Sequence, residues 1–305
     1  MNQGILLPGQ GAQFEGMGRD WADAHSVARE TFVEADEVLG FPLSEKCWNS
    51  GDEINRTDIA QPGIFTTSVA ILRVLEAQGL DLSAASLCAG LSLGEYTALW
   101  VAGSLEFADG LRLVRLRGEA MQDASEACPS SMVSLMGADE ETAYKLAAVG
   151  AEAGICAVAN INAPGQVIVS GELAALDHLE AKAKENGVRR TRRLVVAGGF
   201  HSECMRPAAE RLVSALESIE IGAPRIPFLS NVSGGPVNDP ETIRQQLGEQ
   251  VCSPVLWHKS MTWALGEGVR KFLEPGPGAI LGGIMRKIDP EAEVESAAKP
   301  ADCPS

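Results

Sequence analysis

The sequence predicts an α/β fold, an α/β-hydrolase-like core around a largely parallel sheet with a small ferredoxin-like subdomain inserted into it. Three observations carry this prediction. Short apolar runs alternate with segments of helical periodicity through residue 127 and again from residue 198 onward. One such run is joined to a helical pattern by Gly90-Leu91-Ser92-Leu93-Gly94, a G-x-S-x-G turn. Between residues 128 and 197 the order of elements becomes βαββαβ.

Taken in order, GILL (4–7) reads as a buried strand that opens into the glycine-rich loop PGQGAQFEGMG, and helical patterns follow to about residue 80. ASLCAG (85–90) is the next strand; LGEYTALWVAG beyond it can bury Leu93, Tyr96, Ala98, Leu99 and Val101 on one side, and a further helix runs over about 106–127. In the subdomain, SMVSLMG (131–137), ICAVANIN, QVIVSG and RTRRLVV are strands, DEETAYKLAAVGAEA and LAALDHLEAKAKENG are helices, and Gly187 closes the second helix. The core resumes with a helix over about 205–218, the strand PFLSN, helices to about 268, the strand KFLEPG and a helix near 280–288. The domains expected are therefore 1–127 with 198–290 as core and 128–197 as insert; the acidic, Ala- and Pro-bearing segment 291–305 reads as a mobile tail.

Composition narrows the function classes. With 305 residues, 45% of them hydrophobic, and a mean hydropathy near zero, the chain can bury a full core and is expected to be soluble. A net charge of −16 argues against a general binder of nucleic acid or anionic membrane, so an acidic substrate needs a local basic site. Seven widely spaced cysteines without a C-x-x-C pair suit reduced cytosolic thiols, and the four histidines form no H-E-x-x-H; no metal site is expected. No basic leader region precedes ILLPGQG and no apolar stretch reaches membrane length, so a cytoplasmic chain is expected.

Several residues can carry chemistry. Ser92 is either an elbow nucleophile at a helix N-terminus, where the dipole favours developing negative charge, or an ordinary N-cap completed by Glu95 in a capping box. PGQGAQ lacks the third glycine of a dinucleotide fingerprint and the lysine of a P-loop, and suits either a plain turn or backbone N–H groups presented to an oxyanion. Arg117 lies on or beside the stripe Leu113, Val114, Met121, so its permanent charge needs an internal acid or a substrate carboxylate. His201, after VVAGGF, is favoured as general base over His258; His25 and His178 lie in polar helical patterns. Asn160 and Asn162 can form Asx-turns or bond a substrate. Arg189, Arg190, Arg192 and Arg193 form either a solvated edge or a docking face for an acidic partner.

PGQGAQ, GLSLGEYTAL, LRGEAMQ, NINAPGQVIVSG, GGFHSECM, EQVCSPVLW and EPGPGAILGGIMRKI, in this order over about residues 4–290, closely resemble the malonyl-CoA:acyl carrier protein transacylases of fatty acid synthesis. The resemblance implies the fold above, with Ser92 as nucleophile, His201 as base and Arg117 as the carboxylate-binding residue. It implies an oxyanion hole from the backbone N–H groups of Gln10 and Leu93, and a histidine oriented by the main-chain carbonyl of Gln250 rather than by an acid. Asn162, Phe200 and Met121 are implied near the substrate, with Phe200 leaving little room for an α-methyl group. Malonyl would pass from malonyl-CoA through a Ser92 ester to the phosphopantetheine thiol of acyl carrier protein, by ping-pong and with no bound cofactor. The acidic carrier is the implied partner of the arginine run, and a monomer is expected. Leu91 departs from the histidine that many members carry before the nucleophile. The rivals are a serine thioesterase or hydrolase, which needs an acid between serine and histidine in chain order, a non-catalytic carrier-protein binder, and a free-standing acyltransferase of a polyketide synthase.

Overall fold

The computed structural model describes residues 3–302. From the N-terminus run β1 (Gln3–Leu7), α1 (Arg19–Ala24), α2 (Ser26–Leu39), α3 (Leu43–Asn49), α4 (Thr57–Ala77), β2 (Leu87–Gly90), α5 (Gly94–Val101) and α6 (Phe107–Ala127). The insert contains β3 (Ser130–Met136), α7 (Glu140–Gly150), β4 (Cys156–Ala163), β5 (Gln166–Glu172), α8 (Leu173–Lys182) and β6 (Arg190–Arg193). The chain closes with α9 (Arg206–Leu216), β7 (Phe228–Ser230), β8 (Gly235–Val237), α10 (Pro240–Gln250), α11 (Trp257–Gly266), β9 (Lys271–Glu274), α12 (Leu281–Ile288) and β10 (Glu293–Ser296).

The larger sheet has the order β10-β9-β1-β2-β7-β8, and every pairing is parallel except the β7–β8 hairpin. Its central strands are buried on both faces, which is why GILL and LCAG read as continuous apolar runs rather than alternating ones. Successive side chains feed opposite cores. Ile5, Leu7 and Cys88 join the cluster under α4, α5 and α6, while Leu6, Leu87 and Ala89 meet Trp257, Phe272 and Leu281 on the other side.

The smaller sheet has the order β4-β5-β3-β6 and is antiparallel throughout. Alternation along β3 splits its residues: Val133 and Leu135 pack under α7 and α8, whereas Met132 faces the larger core. The smaller sheet is laced to the core through the segment before α11, where Ile161 donates to the Val255 carbonyl at 2.9 Å and Val255 donates to that of Ala159 at 2.8 Å. A cleft of about 810 Å³ lies between them.

Two expectations are corrected. The segment expected as a mobile tail supplies β10, the edge strand of the large sheet, in register Glu293↔Lys271 through Ser296↔Glu274. Ala297 beyond it is fully buried, and the Ala298 carbonyl accepts from the Trp21 indole at 3.1 Å. Only small or single apolar residues, Ala292, Val294 and Ala297, turn inward, so the acidic composition hides the strand; residues 303–305 of that expected tail lie outside the described residues. Likewise β6 ends at Arg193: Leu194 keeps one backbone bond to the Met132 carbonyl at 2.9 Å, and with Val195 and Val196 it lines the cleft. The hairpin strand β8 had no counterpart in the sequence reading. None of the described helices is long and apolar enough to cross a membrane.

Candidate active site

The site is built on the turn between β2 and α5. Among the described residues only Ser92, at φ 53°, and His201, at φ 59°, are non-glycine residues with positive φ. The flanking glycines are required by space. A Cβ on Gly90 would lie 1.9 Å from the Gly94 carbonyl carbon, and one on Gly94 would lie 2.2 Å from the Leu7 oxygen. The Ser92 N–H does not return to Glu95 as a capping box requires; it donates to Asn231 Oδ1 at 2.7 Å, while Asn231 Nδ2 donates to the Gly90 carbonyl at 2.7 Å. Ser92 is therefore held as a strained elbow and not as an N-cap.

His201 approaches from the loop before α9 and lies 2.9 Å from Ser92 Oγ through Nε2. Its Nδ1 is 2.8 Å from the main-chain carbonyl of Gln250, the last residue of α10. A carbonyl can only accept, so Nδ1 carries the proton and Nε2 is free to accept from the serine hydroxyl. Burial, together with the nearby Arg117 charge, pushes the imidazole down to about 4, against the pull of the Gln250 carbonyl. At neutral pH the ring is neutral.

Arg117 projects from α6 and is 2% exposed. Nη1 donates to Gln61 Oε1 at 2.7 Å, and Nη2 donates both to Gln250 Oε1 at 2.9 Å and to Ser92 Oγ at 3.0 Å. All of these direct acceptors are neutral, the Glu95 carboxylate faces the cation only across the Gln250 amide, and Nε has no partner. A guanidinium cannot shed its charge, so this is a buried cation with donors to spare beside a hydroxyl.

The loop Pro8–Gln13 faces the elbow closely enough that a Cβ on Gly9 would lie 2.1 Å from the Leu91 oxygen. No acceptor among the described residues takes the N–H of Gln10 or of Leu93. Gln10, Ser92, Arg117, Met121, Asn162, Phe200 and His201 all line the cleft, as does Leu91. Asn162 is buried with an unpartnered Oδ1. His258, in the first turn of α11, does not line it.

Arg189, Arg190 and Arg192 are exposed, and none of the ion pairs among the described residues includes them. Arg193 differs. It is held by Asp177 at 2.6 Å and Glu180 at 2.8 Å, which withdraws it from the expected docking run. Sequence reasoning missed Gln61 and Asn231 altogether. Asn231 did leave a signal, an amide closing an apolar strand directly beside β2.

An elbow serine bonded to a histidine, at the carboxyl edge of a parallel sheet, is the arrangement of serine-nucleophile α/β enzymes. Here the third group is a carbonyl in place of an acid. The chain belongs to the acyl transferase domain family, whose model matches residues 6–298. It is 39% identical over 287 residues to the malonyl CoA-acyl carrier protein transacylase of Bacillus subtilis, covering 93% of this chain and 90% of that one. The acyl-carrier-protein-S-malonyltransferase of Bartonella henselae superposes with a TM-score of 0.94 at 36% identity, covering 99% of this chain and 97% of that one. A malonyl-transacylase solved in complex with its type II PKS acyl-carrier protein superposes at 0.93 and 36% identity, covering 98% and 97%.

Proposed function

We propose that the chain transfers the malonyl group of malonyl-CoA to the phosphopantetheine thiol of acyl carrier protein for fatty acid synthesis. The observation that carries this is the buried Arg117 guanidinium, 3.0 Å from Ser92 Oγ and surrounded by neutral acceptors. An acyl group attacked at Ser92 meets that cation, and an acyl group ending in a carboxylate satisfies it. Acetyl-CoA offers no such partner.

His201 Nε2 takes the Ser92 proton as Oγ attacks the thioester carbonyl, and the N–H groups of Gln10 and Leu93 receive the oxyanion. Collapse expels the CoA thiolate, which takes the proton from His201, and leaves the malonyl-serine ester. The carrier thiol gives its proton to His201 and attacks that ester; Ser92 leaves and is reprotonated. A carboxylate on Arg117 offsets the positive field that depresses His201, so the base strengthens when the right acyl group is bound. Gln250 holds the ring tautomer through its carbonyl. Phe200 and Met121 narrow the acyl pocket against an α-methyl group, and Asn162 presents an amide to the bound acyl chain.

The carbonyl on Nδ1 favours a Ser-His dyad over the thioesterase or hydrolase reading, which needs an acid there. The relative solved with its carrier protein supports a carrier protein as partner, and Arg189, Arg190 and Arg192 are the cations we assign to the docking of an acidic carrier. We place the protein in the cytoplasm, as a monomer.

The test is intact-mass analysis after mixing with malonyl-CoA, beside Ser92→Ala and with acetyl-CoA as control. A malonyl adduct that requires Ser92, is weak with acetyl-CoA and passes to holo carrier protein is expected. No adduct, or an adduct lost to water without transfer, overturns the reading.

A further inference from the structure

Glu95 lies in the first turn of α5, is 1% exposed and touches neither Ser92 Oγ nor His201. Its two oxygens hold two residues that do most of the remaining work. Oε1 accepts the Asn231 N–H at 2.6 Å, and Oε2 accepts from Gln250 Nε2. Asn231 fixes the Ser92 N–H and the Gly90 carbonyl. Gln250 donates to the Ser92 carbonyl at 3.0 Å, accepts from Arg117 through Oε1 and holds His201 through its main chain.

Resting on the reading above, we propose that Glu95 is the positioning residue that sets the strained elbow and the Arg117 guanidinium in register, by acting as a two-armed acceptor. The argument is one of polarity. The Gln250 amide has a donor end and an acceptor end, and Arg117 needs the acceptor end. An acceptor-only carboxylate on the other side turns the NH₂ away from Arg117 and so presents Oε1 to it. An amide at position 95 cannot do both jobs, because either orientation sets its own NH₂ against the Gln250 NH₂ or the Asn231 N–H.

The ionised form is the one that works, and its surroundings place its titration where it can be read. Burial raises the Glu95 carboxyl to about 7, opposed by the Asn231 N–H, the Gln250 amide, the Arg117 charge and the Ser230 hydroxyl. The charged or titratable groups facing it are Arg117 from α6 and the Tyr96 phenol from its own helix. Beyond β7 and on α10 the facing groups are neutral. Protonation turns one acceptor into a donor, so grip on Gln250 or Asn231 is lost as pH falls through about 7. His201, at about 4, titrates well below that window.

The test has two arms. In the first, kcat/KM for malonyl-CoA of the unaltered chain is followed from pH 8.5 to 5, a range chosen to span about 7. A fall through about 7 is expected, and a flat profile overturns the proposal. In the second, Glu95→Gln is compared at pH 8. A loss of about 10- to 100-fold in kcat/KM is expected, the size that follows from breaking a hydrogen bond to a charged group. KM for malonyl-CoA should rise severalfold and the bend near 7 should vanish, a combination that a lower fraction of folded protein does not produce. A folded Glu95→Gln with unchanged KM and kcat overturns the proposal; if that variant does not fold, Glu95→Asp, which keeps an acceptor-only carboxylate one methylene short of Gln250 and Asn231, takes its place, with a raised KM for malonyl-CoA expected and unchanged constants overturning the proposal. An unaltered chain that takes no malonyl group at all overturns the proposed function instead, and so the two failures are distinct.

Discussion

The floor of the cleft and its wall are built on opposite principles. On the floor, supplied by the large sheet, the polar groups around Ser92 are determined several times over: its N–H, carbonyl and hydroxyl are each bonded, and the residues bonding them are themselves bonded. On the wall, supplied by the small sheet, polar groups stand open. Asn162 Oδ1 has no partner, and the three arginines at the β6 edge enter none of the ion pairs among the described residues. The difference teaches where each kind of information resides. A reacting centre needs fixed geometry before the substrate arrives, whereas docking of a partner, or of the outer part of a bound chain, needs groups left unsatisfied until it does.

The comparison is most easily broken at Arg117, the floor residue whose own donors are partly unused. Arg117→Ala should lower kcat/KM for malonyl-CoA by about 100- to 1,000-fold, the loss expected when charge-assisted bonds go, and should collapse selectivity over acetyl-CoA. Steady-state assays with both thioesters check this; retained selectivity would mean that the wall, and not the floor, reads the acyl group. A smaller effect is expected at the wall's outer edge. Arg190→Glu with Arg192→Glu should raise KM for carrier protein about 3- to 10-fold at low salt and leave KM for malonyl-CoA unchanged, with the difference shrinking as salt is added. The smallest belongs to Asn162→Ala, for which a rise of a few-fold in KM for malonyl-CoA is expected at an unchanged or slightly higher melting temperature, because a buried acceptor without a partner is removed. If Asn162→Ala instead costs as much as Arg117→Ala, the division between floor and wall fails.

The floor's central residues were legible because each leaves a local mark. Gly90 and Gly94 frame Ser92, an apolar stripe isolates Arg117 on its helix, and glycines precede His201. What holds them was not legible, because Glu95 meets Asn231 and Gln250 across separations of 136 and 155 residues, and hydrogen bonding at that range leaves no spacing to read. Local reasoning even offered a wrong partner, since serine followed three residues later by glutamate spells a capping box. The βαββαβ pattern was readable because period-2 and period-3.6 stretches alternate cleanly there. β10 was not, because an edge strand needs few inward residues and its charges face water. Arg193 was grouped with its neighbours by sequence, although alternation turns it toward Asp177 and Glu180 on the adjoining helix α8.

The lacing of Ala159 and Ile161 to Val255 has a mechanical consequence. That pairing ties β4, one wall of the cleft, to the segment that leads into α11, so this wall is anchored by main chain as well as by packing. Coenzyme A and the carrier end in the same slender thiol-tipped arm. In the transfer proposed above both arms reach Ser92 through the cleft, so the first would withdraw before the second enters, with the covalent ester holding the acyl group between the two visits.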